Sequence, residues 1–245
     1  MTLEIKDITG GYSAVPVLNN VSFSVKKGEL TGLIGLNGAG KSTTIKHIIG
    51  LMQPFSGTIS INGQMIKQNP KAYRQAFAFV PETPVLYEEL TLKEHIELTA
   101  LAYGLEKEEA MKRALRYVKA FRLEEKLEWF PAYFSKGMKQ KVMLVCAFMV
   151  DVPLYVIDEP FLGLDPLGIH TFREIVSEKK KQGAAILMST HVLSAAEKDC
   201  DNFVVLHNGQ ISHRGTLANM QEALAMPGAS LDDLYFRLTE EVITL

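Results

Sequence analysis

Apolar and polar residues alternate along Leu3–Thr9 (LEIKDIT) and Val17–Val25 (VLNNVSFSV), the period-two pattern of strands half-buried in an antiparallel sheet. ELTGLIG (29–35) predicts a short buried strand ending at glycine. KSTTIKHIIG (41–50) then places Ile45, Ile48 and Ile49 at helical spacing and stops at Gly50, with Pro54 beyond. GTISING (57–63) predicts a strand closed by an Asn62-Gly63 turn, and Ala76–Val80 predicts another. From Thr91 to about Val150 the pattern is helical throughout, with helices predicted over 91–104, 107–121 and 137–150. Strands return at Leu154–Asp158, Ala184–Ser189 and 203–215, the last a hairpin turning at Asn208-Gly209. Helices over 167–183 and 192–200 separate them, and such alternation implies a parallel sheet with crossover connections. Ser230–Val242 predicts an amphipathic helix packed on the domain edge.

The expected organisation is one α/β domain over 1–245. Residues 1–85 and 151–215 form a core with an antiparallel β subdomain, 86–150 an inserted helical subdomain, and 216–245 a C-terminal helical tail.

Charge narrows the function classes. With 26 Lys+Arg against 28 Asp+Glu the formal net charge is −2, which supplies no general pull toward nucleic acid. The N-terminus lacks the apolar core of a signal peptide, and the longest apolar run, Val142–Val150, is about half a membrane span. The expected location is therefore cytoplasmic, with any membrane link made through a partner. Cys146 and Cys200 match no metal spacing and are expected as reduced thiols.

The chemistry concentrates in two stretches. GLNGAGKST follows a predicted strand and opens a predicted helix, matching G-x-x-x-x-G-K-[ST] at Gly35, Gly40, Lys41 and Ser42. Glycines allow a turn tight enough for successive N–H groups of Asn37, Gly38, Ala39 and Gly40 to face one anion, and the helix N-terminus adds its dipole. Lys41 supplies a charge for the phosphates, Ser42 a hydroxyl for Mg²⁺, and Thr43 continues the cradle. In LYVIDEPFLGLD, an apolar strand runs into Asp158 and Glu159, and burying unpaired carboxylates is costly. At the carboxyl end of a parallel strand, Asp158 is expected to face Mg²⁺ on a nucleotide. Strand alternation is expected to turn Glu159 elsewhere, toward an attacking water as general base.

With these motifs the chain resembles the ATP-binding cassette (ABC) ATPases, the motor subunits of ABC transporters, over nearly its whole length. FSKGM (134–138) resembles the family's signature loop, usually written LSGGQ, with Ser135 and Gly137 in matching places and Lys136 in place of a signature glycine. Gly163–Pro166 resembles the D-loop with Asp165, His191 the switch histidine, and Tyr12 the aromatic that stacks on adenine. Glu82 falls where the family has its Q-loop glutamine, and it keeps a possible role toward Mg²⁺ or water. Lys136 and Glu82 are departures found in the drug-resistance and export branch.

The resemblance implies a P-loop NTPase with a RecA-like parallel core, an antiparallel β subdomain and a helical insert. It implies ATP and Mg²⁺ as cofactors, and an ATP-dependent pair in which Ser135 and Gly137 of one copy cap the nucleotide of the other. It further implies a separate transmembrane permease, no nucleic-acid partner, and a peripheral place on the inner membrane face. TPVLYEEL (83–90) is a candidate grip for the permease. The alternatives are a soluble ABC ATPase, an unrelated P-loop phosphotransferase and a non-catalytic nucleotide-binding module. The last would be expected to lack Glu159 or His191.

Overall fold

The computed structural model describes residues 1–243, with side chains through 238; the end of the predicted tail lies outside the described residues. The chain begins with a hairpin, β1 (Leu3–Tyr12) and β2 (Val15–Val25), followed by β3 (Leu30–Ile34) and α1 (Lys41–Ile48). β4 (Ser56–Ile61), α2 (Pro70–Gln75) and β5 (Phe77–Val80) lead into α3 (Leu92–Tyr103), α4 (Lys107–Ala120) and α5 (Lys136–Phe148). β6 (Leu154–Asp158), α6 (Pro166–Lys181), β7 (Ala185–Thr190) and α7 (Leu193–Asp199) alternate, and β8 (Asn202–His207), β9 (Gln210–Gly215), α8 (Leu217–Ala223) and α9 (Leu231–Ile243) complete the fold.

Two sheets form, as the patterning predicts. β2-β1-β4 is antiparallel throughout, and β5-β6-β7-β3-β8 is parallel, with β9 added antiparallel at its edge. The hairpin strands run longer than their alternation suggests, because Gly10 and Gly11 sit in β1 and its register shifts around Asp7, where φ is 52°. β3 and β6 are buried along their whole length, as strands covered on both faces must be.

Leu3, Ile5, Val21 and Phe23 of the small sheet pack with Ile45, Val156, Leu187 and Leu206, so one core joins both sheets and α1. A second core runs from Ile96, Ala114 and Val145 of the helices to Tyr155, Ile157 and Phe172 beneath the sheet. Ion pairs reinforce that junction: Lys179 of α6 is buried with its ammonium 2.7 Å from Asp151, which Arg113 of α4 also meets at 2.8 Å. Both cysteines are free. Among the described residues no helix is long and apolar enough to cross a membrane.

Candidate functional site

The loop between β3 and α1 is built by backbone conformation. Gly38 and Gly40 have φ of 85° and 109°, values that side chains with a Cβ rarely adopt. Gly35 is fixed by proximity, since a Cβ there would stand 2.5 Å from the Leu206 carbonyl oxygen. Gly40 occupies the N-cap of α1 with no side-chain cap, which leaves the first N–H groups of the helix to an outside acceptor. Tyr12, Leu36, Asn37, Gly38, Lys41 and Thr43 line an open cleft of about 280 Å³ at this point.

The Lys41 ammonium folds back into the loop, donating to the carbonyls of Gly35 at 2.7 Å and Leu36 at 3.3 Å. Burial lowers its pKa, and the charges of Glu159, Asp158 and Glu82 oppose that change. These three carboxylates therefore share one neighbourhood with the phosphate loop, as the sequence predicts. Ser42 is exposed at the start of α1, and Thr43 is buried beside the Tyr12 hydroxyl.

Asp158 ends β6 and is buried. Burial raises its carboxyl above the ordinary range, the Ser189 hydroxyl donates to Oδ1 and opposes the rise, and Glu82 and Glu159 add to it. Glu159 is not a strand residue: its φ is 47°, so a left-handed turn, and not alternation along a strand, separates the two carboxylates. Its N–H is held by the Ser189 carbonyl and hydroxyl, each at 3.2 Å. The Glu159 carboxylate lies 2.9 Å from His191 Nδ1, and the histidine side chain is 45% exposed against 8% for the glutamate. A carboxylate shielded from water but touching an open imidazole is suited to accept and pass on a proton.

Ser189 escapes a reading of motifs. It pairs with Asp158 across β6 and β7, and only the sheet register reveals that its hydroxyl meets both the Asp158 carboxylate and the Glu159 N–H. Lys46 is the other omission: its ammonium donates to the Tyr12 hydroxyl at 2.8 Å and sits 5.1 Å from the ring centroid, so α1 orients an aromatic side chain that is 50% exposed.

Ser135, Gly137 and Asp165 gather where the starts of α5 and α6 meet. Ser135 caps α5, accepting from the Met138 N–H at 3.3 Å, and remains exposed. A Cβ on Gly137 would collide with the Gly163 carbonyl oxygen, so close packing of two backbones fixes that glycine. Asp165 caps α6 through the Gly168 N–H at 2.6 Å and pairs with Lys141 at 2.9 Å, and these bonds lower its pKa. Lys136 is exposed on the same surface.

The donor set suits a hard cation of modest protein coordination. Among the described residues no three His, Cys, Asp or Glu side chains converge as a metal cage. A hydroxyl and one or two carboxylates beside a phosphate cradle match Mg²⁺, which keeps waters and takes phosphate oxygens. A cleft of about 690 Å³ lies at the opposite ends of the parallel strands beside Pro153 and Ala184. Its Arg113, Arg116 and Lys179 are already paired with acids.

The sequence model of the ABC transporter family matches residues 18–162. The chain is 59% identical over 239 residues to the ABC-type transporter ATP-binding protein EcsA of Bacillus subtilis (strain 168), covering 98% of this chain and 97% of that one. A solved structure described as the ATP-binding subunit of an ABC transporter superposes with a TM-score of 0.95 at 58% identity, over 98% of this chain and 100% of the other. The dimeric, post-hydrolysis structure of the ATP-binding cassette MJ0796 bound to ADP and Pi gives 0.79 at 25% identity, over 88% and 98%.

Proposed function

This chain belongs to the ABC transporter family as an ATP-binding, ATP-hydrolysing subunit, and on that premise we propose how its residues divide the work. The adenine stacks on Tyr12 while the triphosphate lies along Gly35, Asn37, Gly38, Ala39, Gly40, Ser42 and Thr43. Lys41 exchanges the Gly35 and Leu36 carbonyls for phosphate oxygens, trading neutral acceptors for charged ones. Ser42 and Asp158 would hold Mg²⁺, with Glu82 as a further carboxylate toward it; when bound, the ion would offset phosphate charge. Glu159 takes the proton of the attacking water, and His191 orients its carboxylate and the terminal phosphate.

The observation that carries this reading is the 2.9 Å contact between Glu159 and His191, at the end of the strand whose Asp158 bears on Lys41. Lys41→Ala is expected to abolish ATP hydrolysis and weaken nucleotide binding. Unchanged turnover in a phosphate-release assay would remove the phosphate loop from the mechanism.

Ser135, Gly137 and Asp165 serve the nucleotide of a second copy, closing a pair that opens on hydrolysis. The exposed helix start at Ser135 supports this, as does the dimeric form of the MJ0796 cassette. Residues 86–150 act as the subdomain that carries this surface. The permease is a separate membrane chain, gripped by 83–90, where Val85 is 73% and Tyr87 61% exposed. Export, driven from the cytoplasmic face, rests on family resemblance, which the 33% identity to a Nod factor export ATP-binding protein supports. Affinity purification of this chain from membranes should bring an integral protein with it; recovery of soluble partners alone would favour a cassette not linked to transport.

A further inference from the structure

α9 packs over β3 and β8 beside α7, and it also reaches the phosphate loop. Its Leu231, Leu234, Tyr235 and Leu238 share a core with Ile34 and Ala196. Ile34 is the last residue of β3 before the loop, and Ala196 belongs to α7, the helix that follows His191. From this stripe the Tyr235 hydroxyl accepts a hydrogen bond from the Leu36 N–H at 2.8 Å, across 199 residues of sequence. At the start of the same helix, the Leu231 N–H donates to Glu197 of α7 at 2.6 Å.

We propose that Tyr235 is a positioning residue for nucleotide binding: its hydroxyl fixes the Gly35–Leu36 turn so that the phosphate cradle is formed before ATP arrives. Two side chains hold the turn, besides the Ala39 N–H, which donates to the Leu36 carbonyl at 3.1 Å. Lys41 bonds its carbonyls, and Tyr235 bonds the Leu36 N–H. The first hold is lost when Lys41 transfers to phosphate, whereas the second is independent of Lys41 and persists. A loop fixed in advance costs less ordering on binding, and one that wanders binds in proportion to the time it spends competent. Ring burial keeps the hydroxyl in place, since Tyr235 is 7% exposed and burial raises its pKa, so the group stays neutral and able to accept near neutral pH.

This inference rests on the ATP-binding reading, so the test begins with the wild-type chain. Titration calorimetry with Mg–ATP is run on the full-length protein, on Tyr235→Phe and on Leu238→Ala. The first variant keeps the ring and removes the acceptor; the second loosens the same core without touching the bond. Tyr235→Phe is expected to weaken ATP binding about fivefold, the scale of one ordinary hydrogen bond, and to raise KM more than it lowers kcat. Leu238→Ala is expected to lower the melting temperature while binding ATP within about twofold of wild type. Wild-type affinity in Tyr235→Phe, or an equal loss of affinity in Leu238→Ala, would overturn the positioning role. A wild-type chain that bound no ATP would overturn the nucleotide reading as well, which separates the two failures.

Discussion

Asp158 is a burden to the nucleotide-free protein. A carboxyl whose folded pKa is raised binds its proton more tightly in the folded chain than in the unfolded one. Its contribution to stability is present below the ordinary Asp pKa and is lost as pH rises through the raised value. Once ionised, the group is a charge buried close to Glu82 and Glu159. Asp158→Asn keeps an acceptor for the Ser189 hydroxyl and removes the charge. Its melting temperature without nucleotide should exceed that of wild type at pH 7, with the gain shrinking as pH falls toward about 4, while hydrolysis is lost. A wild-type melting temperature at pH 7 would mean that the burial penalty is already met by other groups. Gly137 makes the opposite case, a residue held by geometry alone. Gly137→Ala sets a methyl against the Gly163 carbonyl, two pieces of backbone that cannot swing aside, and should lower stability by about 2 kcal/mol in urea unfolding.

Among the elements, α3 shows why some were plain in the sequence. Thr91 accepts from the Glu94 N–H and Glu94 accepts from the Thr91 N–H, a complete capping box, and Gly104 ends the helix at φ 70°. Thr91→Ala should cost about 1 kcal/mol in thermal unfolding and leave ATP affinity unchanged, because the cap lies outside the nucleotide cluster. α2 and α8 were not legible: with 6 and 7 residues they are too short to show helical periodicity, although Asn69 with Pro70, and Thr216 with Asn219, mark their starts. The phosphate loop was legible because glycine and lysine spacing encodes backbone shape directly. The partner of Asp158 was not, because Ser189 reaches it through pairing of β6 with β7, a relation between segments that no local pattern contains. Strand alternation is the wrong reason for Glu159 turning away from Asp158, since a positive φ is a cost that only tertiary structure imposes on a glutamate.

At the scale of the molecule, the residues proposed for the nucleotide fall into two groups. Lys41, Asp158, Glu159 and His191 cluster through shared charge and contact. Ser135 is exposed and spends its hydroxyl on its own helix, while Asp165 is tied to Gly168 and Lys141. A helix start with an exposed serine is built for an anion, and the triphosphate of a facing copy is the one at hand under the proposed pairing. Glu159→Gln should bind ATP, fail to hydrolyse it and stay closed, so light scattering after gel filtration with Mg–ATP should report twice the monomer mass. Adding Ser135→Arg to that background places bulk and an extra charge at the junction without touching residues 35–43. The doubly substituted chain should still bind ATP with single-chain affinity yet elute as a monomer. If it paired as well as Glu159→Gln alone, Ser135 would lie outside the junction and the closing surface would have to be sought elsewhere. If Glu159→Gln hydrolysed ATP at the wild-type rate and never paired, the proton acceptor would be another group.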